Sequence, residues 1–266
     1  MKAPKNYLLT AYSMAVYLFL YTPILVLIVF SFNAAEQTAT WGGFTLRWYE
    51  LLWADEQVWA AASNSLRVAA ITTVLATVLG TAAALGLRAA TPRLLAFANP
   101  LLLLPIILPE VVMAVSLLGL FSAVGMELSF STVWFSHVVF STSYVLVVVR
   151  ARLAGMDYTL EEAAADLGAT PWVTFWKVTL PQLWPAVISG SLLVVTLSID
   201  DYLITSFVSG VGNTTLPLQI YAMVRKKITP EINAICTLLL ILTTVLVAVA
   251  WVVEQRSHRR DVKAAG

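Results

Sequence analysis

Between Gly155 and Pro185 the chain reads GMDYTLEEAAADLGATPWVTFWKVTLPQLWP. The stretch carries its own punctuation. Thr159, followed three residues later by Glu162, fits a capping box in which hydroxyl and carboxylate satisfy free amides reciprocally. EEAAADL is strong helix former throughout, and Gly168 stands where such a helix should end. Thr170-Pro171 then reads as a second N-cap with proline at the first helical position. Trp172, Phe175 and Trp176 fall on one face of that second helix. The expectation is a pair of short amphipathic helices meeting at Gly168. Taken alone, such a pair could equally well rest on lipid headgroups.

Outward from this stretch the chain is apolar. Of its 266 residues, 59% are hydrophobic and 12% are charged, about half the roughly 25% charged residues of a typical soluble domain. The mean hydropathy is +0.83. So little polar surface cannot cover a water-soluble globule of this size. That excludes a cytosolic enzyme, a nucleic-acid reader and a secreted disulfide scaffold. The single cysteine, Cys236, has no intrachain partner and sits in an apolar run as a packing residue.

Crossing a bilayer takes roughly 20 apolar residues. Asn6–Ala35, Val68–Leu87, Leu128–Val149 and Ile232–Val253 are charge-free runs of that order. Two more, Leu94–Met126 and about Pro185–Gly210, qualify if Glu110 and the pair Asp200-Asp201 are accepted inside them. The reading is one transmembrane domain over 1–266 with six helices, at about 8–32, 64–87, 96–122, 128–150, 184–209 and 232–253, and a connecting loop at 155–182. Six crossings put both termini on one side. Lys2, Lys5, Arg88, Arg93, Arg150, Arg152, Lys177, Arg256, Arg259, Arg260 and Lys263 share that side, leaving Arg47, Arg67, Arg225, Lys226 and Lys227 opposite. Basic loops stay cytoplasmic, so both termini and the 155–182 loop are expected inside. Trp41, Trp48, Trp53 and Trp59 flank two spans on the outside and read as an interfacial belt on a short surface helix, or as a docking site for an outside partner.

Glu162-Ala163-Ala164, then Gly168, then Val178, Leu180 and Pro181 match, at the same spacing, the EAA loop of binding-protein-dependent ABC importer permeases. The chain resembles that family over most of its length, with Asn64-Ser65-Leu66-Arg67 similar to the opening of the family's permease core. LSIDDYLITSFVSG (197–210), Pro109-Glu110, Phe135-Ser136-His137 and TPEINA (229–234) resemble more narrowly the second permease type of the spermidine/putrescine importers. The resemblance implies an all-α, type I importer (MetI-like) permease fold. It implies a coupling loop whose residues Glu162, Ala163, Ala164, Gly168, Leu180 and Pro181 meet a cytoplasmic ATPase dimer. It also implies a second homologous permease subunit and an extracytoplasmic solute-binding protein as partners, besides the lipid bilayer. On chemistry alone Glu162 could cap its helix or touch the ATPase.

A carboxylate in hydrocarbon costs at least about 2.5 kcal/mol, so Glu110, Asp200 and Asp201 should face protein or a water-filled route. Both locations fall at comparable depth, with the aspartates roughly 22 Å along their helix. On one continuous helix Ser198, Asp201, Tyr202 and Thr205 would share a face, with Asp200 about 100° away. Only one aspartate can then aim at a central path. A polyamine needs spaced acceptors and aromatic faces, types that Asp201, Glu110 and Tyr202 supply, with Asp200 a further candidate for the path. Alternatively Glu110 caps a broken helix start, or an aspartate pairs with Arg67. His137 reads as a packing histidine. Arg225, Lys226 and Lys227 could meet a docked binding protein or lipid headgroups. Two histidines and one cysteine make no metal constellation, and neither a nucleophile–base pair nor a phosphate-binding glycine loop occurs. The chain is therefore expected to bind no cofactor, with ATP and magnesium used by the partner ATPase. The rival readings are the same fold carrying another solute, and a stand-alone carrier.

Overall fold

A computed structural model describes residues 7–36, 40–227 and 229–264. Lys2 and Lys5 lie outside the described residues, as do the side chains of Arg256, Arg259, Arg260 and Lys263. The fold is helical, and the one strand-like pairing among the described residues is an isolated bridge between Asn33 and Phe44. The chain divides into two compact units, residues 1–59 with 219–242 and residues 60–218 with 243–266.

The first unit opens with α1 (Tyr7–Phe30), whose 24 residues bury nothing. A helix apolar on every side and uncovered by its own chain is one that a bilayer solvates. The chain then wraps around Asn33, whose amide donates to Thr40 O at 2.7 Å and whose Oδ1 accepts from Gly42 N at 2.7 Å. The short helix expected in this loop is α2 (Arg47–Ala54). Its Trp48 is not part of an interfacial belt. It is 5% exposed, and its indole N–H donates to Asn33 O at 2.7 Å. Trp41, Trp53 and Trp59 are exposed.

The second unit is built around α6 (Phe130–Ala154), 61% of whose most apolar stretch is buried. Against it pack α3 (Glu56–Arg88) and a helix that begins at Pro171. Ala76, Val145, Leu146, Val149, Leu183 and Val194 form the centre of that contact. The backbones meet closely because Gly80 lacks a side chain: a Cβ there would lie 2.6 Å from Val145 Cβ and 2.8 Å from Thr142 O. Gly80→Val is therefore expected to destabilise the protein by about 1–3 kcal/mol through overpacking. Gly86→Ala, at a position with nothing within 4 Å, should leave thermal unfolding in detergent unchanged.

Two expected spans are broken. The stretch expected as one helix at 96–122 is α4 (Pro92–Ile107) and α5 (Glu110–Ala123), with axes bent by 110°. Pro109 has no N–H to return to the preceding turn and drives Leu108 out of the helical region, to ψ 139°. The stretch expected at 184–209 is α9 (Leu180–Asp200), an extended Asp201 at φ −68°, ψ 117°, and α10 (Leu203–Val208). Asp201 ends one helix because its carboxylate starts the next, accepting from Ile204 N at 3.3 Å and Thr205 N at 2.8 Å. Among the described residues five helices are long and apolar enough to cross a membrane, or six if α4 and α5 make one broken span. Between α10 and α12 (Pro230–Ala264) lies α11 (Leu216–Lys226). The turn before α11 is pinned to α3 by Asn64 donating to Thr214 O at 3.1 Å and by Leu216 N donating to Ser65 Oγ at 2.8 Å.

Candidate functional site

The loop between α6 and α9 departs in part from its sequence reading. Its first helix, α7 (Thr159–Asp166), has no capping box: Thr159 is already inside the helix, and its N–H donates to Asp157 Oδ1 at 3.0 Å. Gly168 ends it as expected, at φ +79°. Gly168 N donates to Ala165 O and Ala169 N to Ala164 O, both at 2.9 Å, which together make a Schellman closure. The second helix is not a separate short element. α8 (Pro171–Thr174), capped by Thr170, passes through a π turn at Phe175–Thr179 directly into α9. Pro181 cannot donate to the turn before it, and a wide turn just ahead of it, with Leu180 N bonded to Phe175 O, keeps the helix running. Trp172, Phe175 and Trp176 do share a face, with ring centroids 5.4 to 6.1 Å apart.

Of the two neighbouring glutamates, Glu162 is exposed and its carboxylate makes no hydrogen bond or ion pair among the described residues, so it is not a cap. Glu161 is the one committed internally. Arg88, at the end of α3, grips both of its carboxylate oxygens, with Nη1 at 2.9 Å from Oε1. Thr179, at the end of the π turn, donates to the same carboxylate at 2.7 Å. Arg88 also lies 4.3 Å over the ring of Tyr158. Sequence reasoning counted Arg88 only as an orientation charge and passed over Glu161, because two adjacent glutamates in a first turn look alike. The hydrogen bond from Arg88, aided by Thr179, holds the Glu161 carboxyl below its ordinary pKa. A group shifted that way adds stability above its unfolded value and loses it only as pH falls through its folded one. The contact is therefore intact at neutral pH and opens only in acid.

Glu110 and the consecutive Asp200, Asp201 and Tyr202, far from it in sequence, line one cavity of about 380 Å³. Both breaks open onto it. Glu110 is exposed in the first turn of α5, and Asp200 is exposed as the last residue of α9. A carboxylate at a helix C-terminus adds to the negative end of the helix dipole instead of opposing it. Glu110 and the rings of Phe140, Tyr144 and Tyr202 line the same cavity, a set of groups that suits a cation with an apolar body.

The shared-face reading of Ser198, Asp201 and Thr205 does not survive the break, yet the three still meet, on His137. That residue is fully buried. Its Nδ1 lies 2.8 Å from Ser198 Oγ, and its Nε2 lies 3.0 Å from Thr205 Oγ1 and 3.2 Å from Asp201 Oδ2. The Thr205 hydroxyl donates to Asp201 at 2.7 Å. One neutral tautomer satisfies the set, with Nδ1 accepting from Ser198 and Nε2–H donating to Thr205 and Asp201. Asp201, with a side chain 5% exposed, is thus held, while Asp200, which lines the same cavity, is the exposed aspartate of the two. Arg67 is exposed and pairs with neither aspartate among the described residues. Arg225, Lys226 and Lys227 are exposed at the end of α11, with Arg225 stacked 4.9 Å over Tyr221 and Lys227 3.4 Å from Glu36.

Broken apolar spans, an acidic cavity at the breaks and a capped exposed helix between α6 and α9 are the features of a membrane transport subunit. Residues 76–258, which include the cavity and the loop, match the family described as the inner membrane component of binding-protein-dependent transport systems, and the chain belongs to that family. It is 40% identical over 255 residues to the putrescine transport system permease protein PotI of Escherichia coli K12, covering 92% of this chain and 90% of that one. It is also 40% identical over 252 residues to the spermidine/putrescine transport system permease protein PotC of the same strain, covering 94% and 96%. Its fold is similar to a chain of a bacterial ABC transporter that imports the acidic polysaccharide alginate, with a TM-score of 0.71 at 14% identity over 94% of this chain and 98% of that one.

Proposed function

We propose that this chain is the permease subunit of an ATP-driven importer and forms half of a path for putrescine or spermidine. The observation that carries the reading is the cavity that Glu110, at the start of α5, and Asp200, at the end of α9, line together with three aromatic rings. A protonated polyamine offers separated ammonium groups for two carboxylates and methylenes for the rings. The two relatives named for putrescine and spermidine support the same cargo.

In this reading α4 and α5 together make the third of six spans, and both termini and α7 lie in the cytoplasm. The chain has no ATPase site of its own. ATP and magnesium are used by a dimeric ATPase that receives α7, through Glu162, Ala163, Ala164 and the Gly168 elbow, while Leu180 and Pro181 begin the rigid helix behind it. A second homologous permease completes the path. A binding protein delivers cargo from outside, with Arg225, Lys226 and Lys227 available to its acidic residues. α9 runs from the coupling loop to Asp200, about 30 Å in one helix. A push at the loop therefore moves a carboxylate in the path, which is what alternating access requires of this subunit.

The test is uptake of labelled putrescine and spermidine in cells deleted for this chain and free of redundant importers. Uptake that returns when the chain is restored supports the reading; polyamine uptake indifferent to the chain discards the cargo. Asp201 serves the path only indirectly. Asp201→Ala should lower thermal stability by about 1–3 kcal/mol, because it strips partners from buried polar groups and the cap from α10. An unaltered melting curve for that variant would contradict the assignment.

A further inference from the structure

α7 buries none of its residues. Short and without an apolar anchor, it can pass a displacement to the spans only through polar ties and its own two ends. Those ties converge on its first turn. Arg88 brings the last turn of α3 and Thr179 brings the π turn that leads into α9. Tyr158, under the Arg88 guanidinium, donates to Leu153 O near the end of α6 at 2.8 Å. Arg88, Glu161 and Thr179 line an open groove of about 510 Å³ between these elements. Across such a groove a bidentate guanidinium–carboxylate pair supplies a stiff and directional link. Each partner also sits at the helix end that suits its charge, Arg88 at a C-terminus and Glu161 at an N-terminus.

We infer that the Arg88–Glu161–Thr179 clasp is the joint through which movement of α7 reaches α3 and α9. Arg88 and Glu161 are thus positioning residues for transport and take no part in holding the cargo or the ATPase. The inference rests on the reading that α7 docks on an ATPase.

The test uses the complete complex in proteoliposomes, where putrescine uptake and ATP hydrolysis are measured together. Glu161→Gln and Arg88→Met are expected to lower uptake per ATP about tenfold, within the range of coupling between two sites, while hydrolysis continues. The paired reversal Arg88→Glu with Glu161→Arg should bring the ratio back above that of either single reversal. A photo-crosslinker at Leu167, which is 89% exposed, should capture the ATPase equally in the parent and in every variant. An unchanged ratio in the single variants, with capture intact, overturns the clasp and leaves docking standing. Failure of the paired reversal to exceed the single ones also overturns it. Absence of capture in the parent removes the docking reading and the clasp with it.

Discussion

Glu162→Lys is expected to reduce energy-dependent uptake at least about tenfold without changing the amount of chain in the membrane. Glu162 is exposed and its carboxylate is bonded to nothing among the described residues, so its replacement removes no internal side-chain interaction and surface changes of that kind cost little stability. A large effect must then arise where α7 meets another protein, and a reversed charge at a docking surface is strongly unfavourable. Gly168→Asp should give the same result by another route. At φ +79° a side chain costs about 1–2 kcal/mol, and a new carboxylate at the end of α7 is repelled by the negative end of the helix dipole. The Schellman closure weakens and the elbow shifts, while the spans are untouched. Uptake, ATP hydrolysis and membrane content of both variants check this. Normal uptake in both would remove the coupling role from the loop.

Glu110→Gln and Asp200→Asn are expected to cut polyamine uptake at limiting substrate by roughly 10- to 100-fold each, as loss of one charge-assisted hydrogen bond of about 1.5–3 kcal/mol implies. Binding of cargo to the extracytoplasmic protein should be unaffected. Neither substitution should unfold the chain. Both residues are exposed, and Asp200→Asn removes a charge that the end of α9 disfavours. The contrast with Asp201 is the sharper check. Its carboxylate is consumed by His137, Thr205 and the first amides of α10, so its loss should appear as reduced stability first. Unchanged flux in Asp200→Asn, or a pure flux defect with full stability in Asp201→Asn, would reverse the assignment of the two aspartates.

Much of the fold was legible in the residues. Apolar runs are a strong signal, and the spans lie close to where those runs lie. Gly168 and Thr170-Pro171 each perform the local task their types suit, a left-handed cap and a helix start. Grouping Glu110 with Asp200, Asp201 and Tyr202 came from the cost of charge in hydrocarbon, and one cavity does gather them. The breaks were harder to see. Hydrophobic periodicity counts residues and is blind to a bend, so the 110° turn at Leu108-Pro109 was legible only as the alternative in which Glu110, after the proline, opens a broken helix. At Asp200-Asp201 the trace was a pair of polar residues that a helix could also have carried. Without the break, helical spacing placed Asp201 beside Tyr202 on an open face. With it, Asp201 becomes a buried cap and Asp200 takes the open position. Glu161 went unread because its role depends on Arg88, 73 positions away, and no local pattern reports a partner at that range.

In the proposed function this chain passes cargo and is driven through its loop by a partner ATPase. The most direct measurement is accumulation of labelled putrescine in proteoliposomes assembled from purified binding protein, both permeases and ATPase, with this chain present or omitted. The account predicts accumulation that needs ATP, the binding protein and this chain together, and none from this chain alone. Accumulation that proceeds without the chain, or transport by the chain without ATPase, would contradict it.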